Sequence, residues 1–332
     1  MTSLVRTPRY TPLTLDELGT QPRTSGSLHS RRARFHQSWY RAARLGLPNW
    51  GQTSSGRPLG SILDEKAAAA GMNFSSEPAR RLFETRRAQG WGIDPRTSSH
   101  MTSSQTLLLN LFGPLSQDHD WLLATLGGVL GRADLYSVIQ CDIEFAPPDR
   151  GRYMNDMTRV DAFFQLESSR GVEAVVLELK YTDRFSTRRV NISQNPKYLS
   201  LAHSSQLWRD PEEVFSDPST NQLTRSHALG ACVSQVKLGA PITTTLLLVS
   251  HPLDPTSDAI FEQYSHQLAD PSLAIHATLE QFLGSMLTNA DDDASRSATR
   301  EIELRYLDHT ESETLWESFR GRKTQTRRHA AV

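Results

Sequence analysis

The spacing of apolar residues changes along the chain, and the change separates helices from strands. Residues 1–30 are rich in Thr, Ser and Pro without a sustained period, which predicts a flexible or extended segment. Apolar residues then recur at helical spacing (Phe35, Trp39, Ala42, Ala43), and helix returns over Ile62–Ala70 and Pro78–Gln89 after a Gly- and Pro-bearing loop at 46–60. Ser104 is placed to cap a helix through Leu107, Leu108 and Leu111 that stops near Gly113-Pro114, and Asp118–Leu130 forms another, ending at Gly131. Beyond it the period shortens. Val138–Phe145, Thr158–Glu167 and Val172–Tyr181 read as strands, the last two joined by a short loop at 168–171. After a polar excursion at 184–219 come a helix at Asn221–Lys237, a strand at Ile242–Ser250, and helices at Asp258–Leu268 and Ala274–Thr288. A loop at 289–295, a strand at Glu301–Tyr306 and a helix at Ser312–Phe319 close the pattern. There is no internal repeat. This order predicts an α/β chain whose sheet begins with an antiparallel meander.

The hairpin at 158–181 is the most informative stretch. Side chains alternate faces along a strand. Val160, Ala162, Phe164 and Leu166, with Val175, Leu177, Leu179 and Tyr181, form one apolar face for helices to cover. The other face is apolar near the turn and charged at its far end, with Asp161 on one strand and Glu178 and Lys180 on the other. Counting outward from the loop puts Asp161 opposite Glu178, with Cβ atoms about 4.5–5.5 Å apart. Two such carboxylates repel unless a cation lies between them. Mg²⁺ takes oxygen ligands and keeps several waters, so two carboxylates, a backbone carbonyl and waters would satisfy it. The same register sets Arg159 against Lys180, a like-charge contact. An ordinary ion pair between Lys180 and a carboxylate is the alternative.

The chain has 332 residues, 36 Lys+Arg against 37 Asp+Glu, and a net charge of -1. That balance conceals an asymmetry. Residues 1–100 carry 15 basic and 7 acidic residues, and the rest carry 21 and 30. Arg34 and Arg41 lie among aromatics in the basic part, a composition suited to a polyanion. A second basic run, Arg320 to Arg328, predicts a flexible tail. Two cysteines, Cys141 and Cys232, exclude a disulfide framework and a Cys-rich zinc site. No apolar run reaches the roughly 18 residues of a membrane span, so the expectation is a cytoplasmic protein without membrane association. Gly51-Gln-Thr-Ser-Ser-Gly56 lacks the Lys-Ser/Thr of a phosphate loop.

At Asp161, Glu178 and Lys180 the chain resembles the PD-(D/E)XK nuclease superfamily. The stretches 34–41, 103–113 and 178–183 are similar to bacterial restriction endonucleases within it. The resemblance implies a restriction-endonuclease-like core: a helix, a three-stranded antiparallel meander, a helix and a fourth strand, preceded here by a helical extension. The divisions are then a flexible segment at 1–30, a basic extension at 31–100, a nuclease core at 101–310, and a C-terminal helix with basic tail at 311–332. It implies a Mg²⁺-dependent endonuclease acting on DNA in restriction or anti-phage defence, with Mn²⁺ as a substitute. Asp161 and Glu178 would be metal ligands and Lys180 would polarise water. Many members carry a Glu on the first core helix, but residues 101–116 contain no acid. Gln105 is the nearest substitute, and Glu144 on the preceding strand would supply the missing oxygen. Gln222 and Arg225, on the later helix, are candidates for contact with the site or with the scissile phosphate, and join Arg34 and Arg41 as candidate nucleic-acid-binding residues. A homodimer is expected by analogy with enzymes that cut both strands. The alternative is a nuclease-like module that binds nucleic acid without cutting it.

Overall fold

The computed structural model describes residues 13–22, 26–90, 92–186, 190–239 and 241–329, with side chains through Gly321. The N-terminal helices are α1 (Leu28–Ala43), α2 (Glu65–Ala69), α3 (Glu77–Ala88), α4 (Ser104–Leu115) and α5 (His119–Leu130). Strands β1 (Leu135–Phe145), β2 (Val160–Ser168) and β3 (Gly171–Lys180) follow, then α6 (Pro196–Ser205), α7 (Pro211–Ser216) and α8 (Asn221–Leu238). The chain continues through β4 (Thr244–Ser250), α9 (Pro255–Gln267), β5 (Ala274–Thr278), α10 (Leu279–Thr288), α11 (Asp293–Tyr306) and α12 (Glu313–His329). Local signals explain several boundaries. Asp118 Oδ1 accepts from the Trp121 amide to start α5, and Gly131, at φ +65°, ends it in the left-handed region that glycine adopts without strain.

The five strands form one mixed sheet in the order β1-β2-β3-β4-β5. β1, β2 and β3 are antiparallel, and β3, β4 and β5 are parallel. The sheet thus differs from the expected four-strand core in two places. Ala274–Thr278 is a strand, and only Leu279–Thr288 is helical, started by a capping box between Thr278 and Gln281. Glu301–Tyr306 is the end of α11 rather than a strand. Its alternating Ile302, Leu304 and Tyr306 imitate a strand, but the buried positions are Ile302, Arg305 and Tyr306, a helical face. Arg305 is buried because its guanidinium donates to Asn73 O at 2.7 Å and Asn73 Oδ1 at 2.5 Å.

Helices cover both sheet faces. On one face Ala162, Phe164, Leu166, Val175, Leu177 and Leu179 pack with side chains of α4, α5, α10 and α11. On the other, Phe163, Ala174 and Val176 pack with α6, α7, α8 and α9. Val160 joins this second cluster, because it pairs with Phe145 beyond the last β2/β3 pair. Ala33, Phe74, Ala79 and Phe83, from the basic N-terminal part, share the first cluster with the sheet.

The expectation for residues 1–30 falls partly on 1–12 and 23–25, outside the described residues. Within the described part, Leu18 is fully buried and Ser27 caps α1. α12 continues to His329, past the expected end at Phe319, and the basic side chains from Arg322 onward lie outside the described residues. Among the described residues no helix is long and apolar enough to cross a membrane.

Candidate active site

Three acids fall in one row across three neighbouring strands. The β2/β3 ladder runs from Ser168↔Gly171 to Ala162↔Leu177, which sets Asp161 opposite Glu178. Glu144 lies between the pairs Ile143↔Ala162 and Phe145↔Val160, which sets it across from Asp161 on the other side. Its backbone is left-handed at φ +55°, costly for a residue with a Cβ, so the surrounding contacts must hold it there. Arg159 precedes the first residue of β2 and lies outside the β2/β3 ladder, so the like-charge pair with Lys180 does not form within the sheet.

Each acid has defined partners. Asp161 Oδ2 accepts from the Leu179 amide at 2.7 Å. Glu178 is 3% exposed. Its Oε1 accepts from Lys180 Nζ at 2.8 Å and from Gln222 Nε2, and its Oε2 accepts from Ser226 Oγ at 3.3 Å. Lys180 Nζ also sits 4.9 Å from the centre of the Phe185 ring. Gln105 Nε2 donates to Gly92 O at 2.8 Å, and its Oε1 accepts from the Asp94 amide at 2.9 Å and Thr97 Oγ1 at 2.5 Å. Its amide also helps hold down the pKa of Glu144. With its oxygen occupied, Gln105 positions Glu144 and the 92–97 loop rather than offering a ligand atom.

Burial and mutual repulsion dominate the electrostatics. Burial pushes Asp161 well above the usual carboxylate range, and Glu178 and Glu144 push the same way. Burial likewise pushes Glu144 up to about 7, against the hydrogen bond from Gln105 and the charge of Arg159. For Lys180 burial acts downward, but Glu178, Asp161 and Asp183 outweigh it and raise its pKa. For Asp161 and Glu144 the nearby cations do not offset burial and repulsion, and the carboxylate oxygens are the hard donors that a divalent cation prefers. Among the described residues no group of three or more His, Cys, Asp or Glu forms a ready cage. The donor set fits an open site, completed by water and substrate oxygen, better than a closed one.

Glu144 and Asp161 face a cleft of about 680 Å³ lined by Gly92–Arg96, His100, Thr102–Gln105, Arg159 and Asp183. Asp183 Oδ2 accepts from the Ser104 amide at 2.8 Å, tying the end of the β2/β3 hairpin to the start of α4.

The structure brings Asp161, Glu178, Lys180, Glu144, Gln105 and Gln222 together and separates the arginines from them. Gln222 is a partner of Glu178, and its Oε1 takes the Ser186 amide at 2.7 Å, so both ends of its amide are engaged within the chain. This corrects the expectation of a nucleic-acid contact. Arg225 is corrected too: it is buried, with Nε donating to Asn221 Oδ1 at 3.0 Å and Nη1 to Thr158 Oγ1 at 2.9 Å. Arg41 is fully buried, and its guanidinium donates to the carbonyls of Gly60, Leu47, Asn49 and Glu17, leaving no access for phosphate. Arg34 is half-buried on α1, with burial and the charges of Arg31 and Arg57 lowering its pKa. Sequence reasoning missed Ser226 and Asp183. Ser226 was within reach, because it stands one helical turn after Gln222. Asp183 lies past the end of β3, where strand periodicity carries no signal.

A mixed sheet sandwiched by helices, with acids on adjacent strands and a lysine beside them, defines an α/β protein of nuclease type. The chain belongs to the PD-(D/E)XK nuclease superfamily, whose sequence profile matches residues 24–308. Membership implies a nucleic-acid substrate, and members are usually hydrolytic nucleases that use divalent metal ions. Comparison with curated proteins and with solved structures gives no match.

Proposed function

We propose that the protein is a metal-dependent endonuclease that hydrolyses phosphodiester bonds of DNA. The observation that carries this reading is the row Glu144–Asp161–Glu178, with Lys180 held against Glu178. Asp161 and Glu178 are the ligands in this reading, with Glu144 as a third oxygen donor. A Mg²⁺ bound there, or Mn²⁺ in its place, supplies charge neutralisation of the phosphate and a bound water of lowered pKa. Gln222 and Ser226 fix the Glu178 carboxylate from α8. Lys180 stays protonated beside it and provides a positive charge where the attacking water and phosphate oxygens would gather. Gln105 holds Glu144 in place from α4. Arg34, close to Arg31 and Arg57, contributes to a basic stretch suited to backbone phosphates outside the cleft. The resemblance of the stretches 34–41, 103–113 and 178–183 to bacterial restriction endonucleases supports a role in restriction or anti-phage defence.

The test is incubation with plasmid, linear duplex, single-stranded DNA and RNA in Mg²⁺, Mn²⁺ or EDTA. Cleavage of DNA in Mg²⁺ and Mn²⁺, and none in EDTA, is expected. Asp161→Ala, Glu178→Ala and Lys180→Ala should each lower the rate by about 100-fold or more, with circular dichroism unchanged. Binding without cutting would instead establish a catalytically inactive binding module.

A further inference from the structure

We infer that Arg159 is the residue that grips a phosphate of the bound strand at the mouth of the cleft. This rests on the nuclease reading for its substrate class, and it adds a residue that neither the motif nor the acid row contains. Among the described residues lining the cleft, the other arginine is already engaged. Arg96 Nη2 is paired with Asp94 Oδ2 at 2.5 Å, and Lys180, outside the lining, is paired with Glu178 at 2.8 Å. The arginines richest in contacts, Arg41, Arg225 and Arg305, are buried and donate to groups of the chain. Arg159 is exposed and lines the cleft, and among the described residues its guanidinium makes no hydrogen bond or ion pair.

Its place is well defined. It stands two residues before Asp161, at the start of β2, so it leads directly into the acid row. Gly92, at φ +91°, lies alongside both residues: a Cβ there would be in ordinary contact, 3.5 Å from Arg159 Nη1 and 3.6 Å from Glu144 Cβ. The guanidinium thus lies beside Glu144 on the wall of the cleft. An exposed arginine next to buried acids opposes the repulsion that those acids exert on a phosphodiester. Its planar fork suits two oxygens of one phosphate, which a lysine ammonium cannot match.

The experiment is a binding series with a fluorescent DNA duplex and single strand over increasing salt, with Ca²⁺ as the divalent ion, for the intact chain and Arg159→Ala. Loss of one phosphate contact should lower the slope of log K against log salt by about 0.9 for a duplex and about 0.7 for a single strand. Affinity should fall about tenfold at low salt. Arg159→Lys should restore the slope but only part of the affinity, because charge returns without the fork. Arg170→Ala, at the opposite end of the β2/β3 hairpin, should leave slope and affinity unchanged. The exposed side chain has no hydrogen bond to lose but does act on Glu144 electrostatically, so Arg159→Ala should melt slightly lower than the parent with an unchanged circular dichroism spectrum. An unchanged slope in Arg159→Ala, an equal drop in Arg170→Ala, or failure of the intact chain to bind either DNA overturns the proposal. If the slope drops while the intact chain cleaves nothing in Mg²⁺, Arg159 holds phosphate and the hydrolytic reading fails alone.

Discussion

Asp161 has an acid on each neighbouring strand, and in the metal-free protein that arrangement opposes folding. Its raised pKa means that the folded chain favours the uncharged form. Asp161→Asn removes the charge and can still accept from the Leu179 amide. Above pH 7 and in EDTA, this variant should melt about 2–4 °C higher than the parent while cleavage is lost. A lower melting temperature in calorimetry would refute the repulsion. At this scale the hairpin was legible from sequence, because side-chain alternation and a short loop suffice to set Asp161 against Glu178. The fates of Arg41 and Arg225 were not, because an arginine that satisfies buried carbonyls and one that meets phosphate look alike in composition.

Helix α8 matters as an element because it brings Gln222 and Ser226 to Glu178, and its approach to the sheet depends on one glycine. A Cβ on Gly230 would lie 2.0 Å from Val176 Cγ2 and 3.3 Å from Thr244 Cγ2. Gly230→Ala should therefore push α8 off β3 and destabilise by about 1–2 kcal/mol, helix propensity offsetting part of the overpacking. Adding Val176→Ala should recover part of that loss. Urea unfolding of the two single variants and the double variant checks the coupling, and simple additivity would rule out the contact. The misassigned elements share a cause. β5 has five residues and runs into an amphipathic helix, so its extended state depends on pairing with β4. The end of α11 alternates by accident, and burial of Arg305 reverses the reading.

Across the whole molecule, four histidines join the N-terminal helix, the end of β4 and the approach to α12. His29 stacks on His251 at 4.2 Å between ring centroids, and His36 packs on His309 at 4.5 Å. His29 Nε2 donates to Tyr181 O at 2.7 Å, just beyond Lys180. Burial pushes His36, His251 and His309 down to about 3 and lowers His29; Arg32 also depresses His36 and His309, while Asp254 and Asp308 act upward on His29 and His309. These groups are depressed in the folded state, so the unfolded chain binds protons first. Their contribution is present above about pH 6.5 and is lost as pH falls toward 3. Glu144 and Asp161 act in the opposite sense: raised in the folded state, they favour folding below the ordinary carboxylate range and lose that contribution as pH rises through about 7 for Glu144. Thermal unfolding between pH 4 and 8 should show His309→Gln less sensitive to acid than the parent. Equal sensitivity would exclude the cluster as its source.

The amino-acid sequence by itself determined the hairpin, its register, and the types of side chain placed at its charged end, because period-2 alternation and loop length are local properties. It also carried the helices whose caps and apolar spacing lie within one segment. Only the tertiary structure decided that Glu144 completes a row with Asp161 and Glu178, that Gln222 and Ser226 serve Glu178, and that Arg159 alone of these arginines faces the cleft without a partner among the described residues. Each of those outcomes depends on which distant strand or helix comes to lie alongside, and on whether burial engages a polar group or leaves it open to solvent.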